Sequence, residues 1–216
     1  MKTIDTTTWS RKIAYENFSK YDNPIFSIGT RFDVTKLVAY CKENKKSFFS
    51  TFLYVLTRSA NEIDELKIRI VEGKVVLFDT ICPSFVILGE GDDLCTCKSE
   101  YYADYATFYE CNRADIERVR SGRSEKNFNG EAIVDCLYIS TLPWIDVTAV
   151  ENPYNFKDEA QTSIPRITWG KYVKRGDIYE MGFHLSAHHA LMDGVHLSRL
   201  VGKMQTAIDN IEEYLK

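Results

Sequence analysis

Apolar residues recur with a helical period over most of the first 60 positions of the chain. This pattern predicts one strand at 24–33 and three helices, across residues 9–20, 34–46 and 47–60. Asp33 is a suitable N-cap for the second helix. The third helix is apolar enough around its circumference to be buried. The N-terminal part of the chain is therefore expected to be mainly helical.

The period changes after residue 65, where extended segments begin to dominate. Strands are predicted at 66–72, 74–80, 83–88, 136–143 and 166–173. The first two of these form a hairpin that turns at Glu72-Gly73. One further helix is predicted at 104–120, and loops at 89–93, 121–131 and 151–163. Because helices and strands do not alternate regularly, the order predicts an α+β fold in a single domain, residues 1–216.

The C-terminal part combines a strand, a tight corner and a helix, and all four histidines fall within its thirteen residues from His184 to His196. Apolar residues at every second position predict the core-facing side of the strand: Tyr179, Met181, Phe183, Leu185 and Ala187. Continuing this alternation places His189 on the apolar side, and His184 and His188 on the other side. Asp193-Gly194 then turns the chain into a helix with apolar residues at helical spacing.

Composition and charge restrict the class of protein. The 216 residues are 44% hydrophobic and 27% charged, which is typical of a globular protein with a full core. A net charge of −4 with interspersed signs argues against general nucleic-acid binding. The N-terminus resembles no signal peptide and no apolar run is long enough to span a membrane, so a cytoplasmic protein is expected. Six scattered cysteines without a C-x-x-C pair indicate reduced thiols.

Three interpretations of the histidine cluster are open at this point. The histidines could be structural, with Asp193 capping the final helix. They could bind a metal ion, although His188 and His189 point to opposite faces of a strand and no H-E-x-x-H helix is present. A histidine in apolar surroundings could also act as a general base, because its ordinary pKa lies near neutrality.

Residues 188–196 resemble the H-H-x-x-x-D-G-x-H signature of chloramphenicol acetyltransferases. Further segments resemble that family in the same order along the chain: Trp9-Ser-Arg11-Lys12, Asp64-Glu65-Leu66, Ser140 to Trp144, and Thr168-Trp-Gly170-Lys171-Tyr172. Dihydrolipoamide acyltransferase catalytic domains share the H-H-x-x-x-D-G core, but the W-x-R, P-W and G-K-Y segments favour the chloramphenicol branch. The resemblance implies that family's fold, a two-layer mixed β-sheet with helices packed on one face.

The resemblance also implies site residues and their roles. His189 would be the general base that takes the proton of an acceptor hydroxyl, and Ser140 would donate a hydrogen bond to the oxyanion. Asp193 would pair with Arg11 to hold the turn behind the histidine, and Thr168 would help to hold a water molecule. No metal would take part. The channel for the co-substrate acetyl-CoA would be lined by Lys171, Tyr172 and Trp144.

The implied assembly is a homotrimer with active sites between subunits, in which acetyl-CoA and the acceptor enter from opposite sides. Chloramphenicol is the expected acceptor, and antibiotic resistance the expected role. No membrane or nucleic acid is an expected partner. The remaining histidines are expected to be structural neighbours of the base: His184, His188 and His196.

The chain departs from the family pattern around the acceptor pocket. Typical members carry E-T-E-T-F-S after the strand that corresponds to 85–88, whereas this chain continues with the acidic segment 89–93. Phe48-Phe49-Ser50 replaces F-Y-P, and different residues stand at Asn17, Phe18 and Asp22. Acetyl transfer is therefore the primary expectation, and the identity of the acceptor is secondary to it. The alternatives are a related CoA-dependent acyltransferase with another hydroxylated or thiol acceptor, or a non-catalytic small-molecule binding homologue.

Overall fold

A computed structural model describes residues 1–89, 93–122 and 133–216. Its strands are β1 (Lys2–Thr3), β2 (Ile25–Asp33), β3 (Ile68–Val71), β4 (Lys74–Leu77), β5 (Cys82–Leu88), β6 (Leu94–Lys98), β7 (Cys136–Leu142), β8 (Arg166–Arg175) and β9 (Ile178–His188). Its helices are α1 (Lys12–Phe18), α2 (Thr35–Glu43), α3 (Phe48–Asn61), α4 (Tyr105–Arg120), α5 (Glu159–Ser163), α6 (Gly194–Asp209) and α7 (Ile211–Tyr214). A short 3-10 helix covers Asp64–Lys67.

The strands form a six-stranded sheet in the order β2-β9-β8-β7-β5-β6 and a three-stranded sheet in the order β1-β4-β3. In the larger sheet, β7 runs parallel to both β5 and β8, and the other pairs are antiparallel. Helices α2, α3, α4 and α6 contact this sheet on the side of the hydrophobic core. This mixed sheet with a helical layer confirms the predicted α+β class.

The alternation along β9 is confirmed in the packing of its side chains. Met181, Phe183, Leu185 and Ala187 all belong to the hydrophobic core. The hairpin is also confirmed, because Val71 pairs with Lys74 across the two turn residues. Both turn residues have positive φ, 51° at Glu72 and 71° at Gly73, the geometry that favours glycine in a two-residue hairpin turn.

Several element boundaries differ from the predictions. The first helix covers only Lys12–Phe18, and α5 lies within the segment expected to be a loop, where the Asp158 side chain accepts from the backbone N–H of Gln161. Asp33 is not the N-cap of α2, which begins after Val34, although its carboxylate accepts from the N–H of Thr35. Strand β6 was not predicted, because its order depends on pairing with β5 and not on its own periodicity. Residues 90–92 and 123–131 of the predicted loops lie outside the described residues.

A buried arginine joins the smaller sheet to β7. Arg69 of β3 is fully buried, and its guanidinium donates to the backbone carbonyls of Leu66, Ile68, Val134 and Cys136 at 2.6–2.9 Å. Burial lowers the pKa of Arg69 to about 10, so it remains protonated near neutral pH. This cation therefore anchors the start of the strand that carries Ser140.

The six cysteines are all free thiols, as predicted. Burial raises the pKa of Cys41, Cys82, Cys97 and Cys136, which makes these thiols unreactive at neutral pH. In the ranges that the structure describes, no helix has both the length and the apolar character needed to cross a membrane.

The segment around Val147 crosses the six-stranded sheet on the side away from the helices, and two glycines permit this crossing. A Cβ at Gly182 would lie 1.8 Å from the carbonyl oxygen of Val147, and one at Gly170 would lie 2.7 Å from the Val147 nitrogen. The β8–β9 register shifts between Trp169 and Tyr172, and the Lys171 N–H donates to the Ile145 carbonyl at 2.8 Å. The crossing and this bulge together set the direction of the Lys171–Tyr172 segment.

We expect Gly182→Ala to lower the free energy of unfolding by about 2 kcal/mol or more, because the new methyl group would force two backbones apart. Gly202→Ala in α6 is the matched control, since a Cβ there meets nothing within 4 Å. The control should gain roughly 0.5–1 kcal/mol from helix propensity. Urea denaturation at one fixed protein concentration measures the free energy of unfolding of both variants and of the parent protein. A Gly182→Ala protein as stable as the parent would contradict the close crossing.

Candidate active site

His189 follows the last residue of β9 and lies between two phenyl rings. Its imidazole stacks on Phe18 of α1, with ring centroids 3.9 Å apart and planes 7° apart, and contacts Phe26 of β2 at 4.4 Å. Two rings this close cannot share one face of the imidazole, so each covers a different face. The backbone N–H of His189 donates to the Pro24 carbonyl at 2.8 Å. Both the ring and the backbone of this residue are therefore held in place.

The turn behind His189 is held by an ion pair between Arg11 and Asp193. The guanidinium contacts both carboxylate oxygens of Asp193, and its NH2 group also donates to the His189 carbonyl at 3.2 Å. Hydrogen bonding from Arg11 holds the pKa of Asp193 below its ordinary value, so the carboxylate stays ionised. Asp193 Oδ1 lies 3.2 Å from His189 Nδ1. Within the described part of the chain, that nitrogen has no aligned hydrogen-bond partner.

The other three histidines are buried and have distinct surroundings. His196 Nδ1 accepts from the Asp193 N–H at 2.8 Å and completes a capping box at the start of α6, while its Nε2 lies 3.3 Å from Glu65. His188 Nδ1 accepts from the Ala190 N–H at 3.3 Å. Burial lowers the pKa of His184 and of His196, and lowers that of His188 to about 4. These imidazoles are therefore neutral at pH 7.

Ser140 and Thr168 lie side by side on the face of the sheet opposite the helices. The register pairs Ser140 of β7 with Thr168 of β8, and Thr168 with His184 of β9. Directly paired residues have side chains on the same face. The Thr168 hydroxyl is buried, and neither it nor His184 Nδ1 has a hydrogen-bond partner among the residues that the structure describes.

A cavity of about 550 Å³ opens beside Ser140. The three residues expected to line a co-substrate channel all line it: Lys171, Tyr172 and Trp144. Aromatic and aliphatic side chains form much of the remaining wall, among them Phe48, Phe49 and Leu88. The volume and the mainly apolar wall are typical of a small-molecule site.

The predicted site residues form two groups that lie apart within one chain. Arg11, His189 and Asp193 form one group, and the paired residues Ser140 and Thr168 form the other, with Ser140 at the cavity. His184 pairs directly with Thr168. His189 lies five residues further along the chain than His184, a distance of about 16 Å at the rise of an extended strand. His189 is not among the residues that line the cavity. A single chain therefore does not bring the histidine to Ser140.

Some residues at these two places were not identified from the sequence. Phe18 stands out in the sequence as a departure from a family pattern, and nothing in its spacing indicates stacking on His189. Arg113 and Arg120 of α4 also line the cavity, but exposed arginines occur on most helices. In the described ranges, no group of three or more His, Cys, Asp and Glu side chains could hold a metal ion.

Comparison with known proteins gives matches along the whole chain. The family model described as chloramphenicol acetyltransferase matches residues 1–205. A chloramphenicol acetyltransferase from Proteus mirabilis is 28% identical over 207 residues, which cover 95% of this chain and 94% of that protein. One from Escherichia coli is 26% identical over 208 residues, with 96% and 93% covered. These matches confirm the resemblance that the sequence motifs indicated.

Solved structures agree with the sequence matches. A chloramphenicol acetyltransferase superposes with a TM-score of 0.82 at 27% identity, covering 100% of this chain and 99% of the other. A dihydrolipoamide acetyltransferase from Azotobacter vinelandii gives a TM-score of 0.70 at 14% identity, with 95% and 89% covered. The second likeness concerns the fold alone.

The depressed pKa of His188 predicts a pH-dependent stability. Between its ordinary value of 6.5 and about 4, the unfolded chain binds a proton that the folded chain does not. The contribution of neutral His188 to the free energy of unfolding is therefore complete above pH 6.5 and is lost as the pH falls towards 4. We expect His188 to account for a loss of about 2 kcal/mol between pH 7 and pH 5, and the buried His184 and His196 act in the same direction.

His188→Asn is the variant that checks this assignment, because its amide oxygen can accept from the Ala190 N–H but does not titrate. Denaturant unfolding from pH 7.5 to pH 5 should show a smaller loss of stability in the variant than in the parent protein. Equal pH dependence in the two proteins would show that His188 is not the source of the loss.

Proposed function

The chain belongs to the chloramphenicol acetyltransferase family, and we propose that it transfers the acetyl group of acetyl-CoA to a hydroxyl of chloramphenicol. This reaction would confer resistance to the antibiotic, and we assign it to the cytoplasm, where acetyl-CoA is available. The observation that carries the proposal is the environment of His189. Two phenyl rings and the Arg11–Asp193 pair hold this imidazole in one orientation, as a positioned base requires.

In the first step, His189 takes the proton of the acceptor hydroxyl. The carboxylate of Asp193 lies 3.2 Å from Nδ1 but is not aligned for a hydrogen bond to it, so it favours a proton on Nδ1 only through its charge, and Nε2 is the nitrogen that accepts. Because both oxygens of Asp193 contact Arg11, the carboxylate serves to hold the turn, and it does not move a proton itself. The acceptor oxygen then attacks the thioester carbonyl carbon of acetyl-CoA.

In the second step, the tetrahedral intermediate is stabilised and then collapses. The Ser140 hydroxyl donates to its oxyanion, and the neighbouring Thr168 hydroxyl helps to hold a water molecule there. Collapse breaks the C–S bond, and the CoA thiolate takes the proton that His189 carries. No covalent intermediate with the protein is formed, so no activated serine or cysteine is required.

We further propose that the active sites lie between the subunits of a homotrimer. The distance between His189 and Ser140 along the sheet supports this assembly, because the base and the oxyanion donor of one chain cannot act on the same substrate. His189 of one subunit would act with Ser140, Thr168 and the cavity of its neighbour. A closed ring of three such contacts leaves no unpaired half-site.

A thiol-release assay tests the reaction directly. Purified protein with acetyl-CoA should release free CoA thiol faster when chloramphenicol is present, and mass spectrometry should detect acetylated chloramphenicol. A panel of other alcohols and thiols in the same assay identifies a different acceptor. If chloramphenicol does not accelerate release but another acceptor does, the substrate assignment is wrong while acetyl transfer stands.

Mixing two inactive variants tests the shared site. Ser140→Ala should lower kcat by roughly 10²–10³, the usual effect of losing one oxyanion donor, and His189→Ala should abolish turnover. When equal amounts are unfolded and refolded together, three quarters of random trimers are mixed and each regains one intact site in three. About a quarter of the parent activity should therefore return.

The control is the double variant Ser140→Ala with His189→Ala, which regains nothing when it is refolded with either single variant. If both groups act within one chain, co-refolding of the single variants gives no activity above that of Ser140→Ala alone. That result would contradict the shared site and leave the assignment of acetyl transfer to the thiol-release assay.

A further inference from the structure

Three cationic side chains converge on the cavity beside Ser140. Arg113 and Arg120 come from α4, and Lys171 comes from β8. All three are exposed, and none has an ion pair or side-chain hydrogen bond to another residue in the described ranges. In a chain with a net charge of −4, the described residues that line the cavity include these three cations and no acidic side chain, which favours an anionic ligand.

The two arginines are on the same side of α4. Residues 113, 116 and 120 are three and four positions apart, a spacing that places them on one helix face. Ile116 between them is buried and also lines the cavity. At the rise of an α-helix, the two arginines are about 10 Å apart along the axis. They can therefore contact separate groups of one extended anion.

Arginines elsewhere in the described part of the chain are mostly engaged within the protein. Carboxylate, carbonyl or ring partners are present for Arg11, Arg31, Arg58, Arg69, Arg118, Arg166 and Arg175. Arg118 is the informative contrast, because it belongs to the same helix but donates to Asp115 at 2.8 Å. The guanidinium groups of Arg113 and Arg120 remain available to a ligand.

We propose that Arg113 and Arg120 bind the phosphate groups of CoA, opposite Lys171, at the mouth of the cavity. A guanidinium can donate two parallel hydrogen bonds to one phosphate, which makes arginine well suited to this role. The apolar wall formed by residues such as Phe48 and Leu88 would then contact the pantetheine arm on its way to Ser140. This inference rests on the proposed use of acetyl-CoA and adds the residues that select its phosphorylated end.

Isothermal titration calorimetry with CoA tests the proposal without catalysis. Arg113→Gln and Arg120→Gln should each raise the Kd for CoA by about 5- to 10-fold, and the double variant by about 30-fold or more. Arg118→Gln is the matched control on the same helix and should change the Kd by less than about twofold. Raising NaCl from about 50 mM to about 0.5 M should weaken binding to the parent protein more than to the double variant.

CoA analogues that lack some or all of the phosphate groups show which phosphate each arginine contacts. Acetyl-pantetheine has no phosphate group, so the double variant should use it as well as the parent protein does. 3′-Dephospho-CoA distinguishes the two arginines: the one that contacts the 3′-phosphate should affect the binding of CoA but not of 3′-dephospho-CoA. In steady-state assays the KM for acetyl-CoA should rise while kcat at saturation is retained, because these contacts are remote from the reacting atoms.

The outcomes separate this inference from the proposed function. If the parent protein binds no CoA, both are wrong. If it binds CoA but the double variant binds equally tightly, or if Arg118→Gln weakens binding as much, the assignment of the arginines is wrong and CoA use stands. Circular dichroism and the elution volume of each variant confirm that fold and assembly are unchanged.

Discussion

The pairing of β8 with its two neighbours is the constraint on which the positions of Ser140, Thr168 and the cavity depend. It places Ser140, Thr168 and His184 in one row across three strands. A slip of one residue would turn this polar row towards the helices and would expose Trp169 and Ile167, which belong to the core. The bulge at Gly170-Lys171 interrupts the same pairing at the cavity. Register therefore determines where the row of polar side chains ends and where the cavity begins.

The crossing segment around Val147 covers part of the polar face of the sheet. Close backbone approach at Gly170 and Gly182 brings this segment over β8 and β9. On the same face of the sheet, Thr168 Oγ1 and His184 Nδ1 have no protein partner in the described ranges, which is costly for buried polar atoms unless another molecule supplies one. In the proposed trimer, substrate, water or a neighbouring subunit would supply that partner.

Arginine has two contrasting uses in this protein. Arg11 is partly buried, makes bidentate contact with Asp193 and also contacts the His189 carbonyl, so its charge is neutralised and its function is to hold geometry. Arg113 and Arg120 are exposed and have no such contacts in the described part of the chain. The first kind of contact holds the turn that carries His189, and the second kind leaves positive charge beside the cavity available to a ligand.

The local features were predictable from the sequence because they depend on near neighbours. Alternation along residues 179–187 predicted the core-facing side of β9, and the positive φ of Glu72-Gly73 agrees with the predicted turn. The same alternation did not predict the burial of the histidines, because His189 lies beyond the end of β9 with a side chain 31% exposed, whereas the other three are buried. Only the tertiary structure placed Phe18 on His189, brought Arg113 and Arg120 to the cavity of Ser140, and separated that cavity from His189. Periodicity determines which way a side chain faces within its own element. The distance between elements depends on strand register, backbone crossings and packing, which arise from residues far apart in the chain.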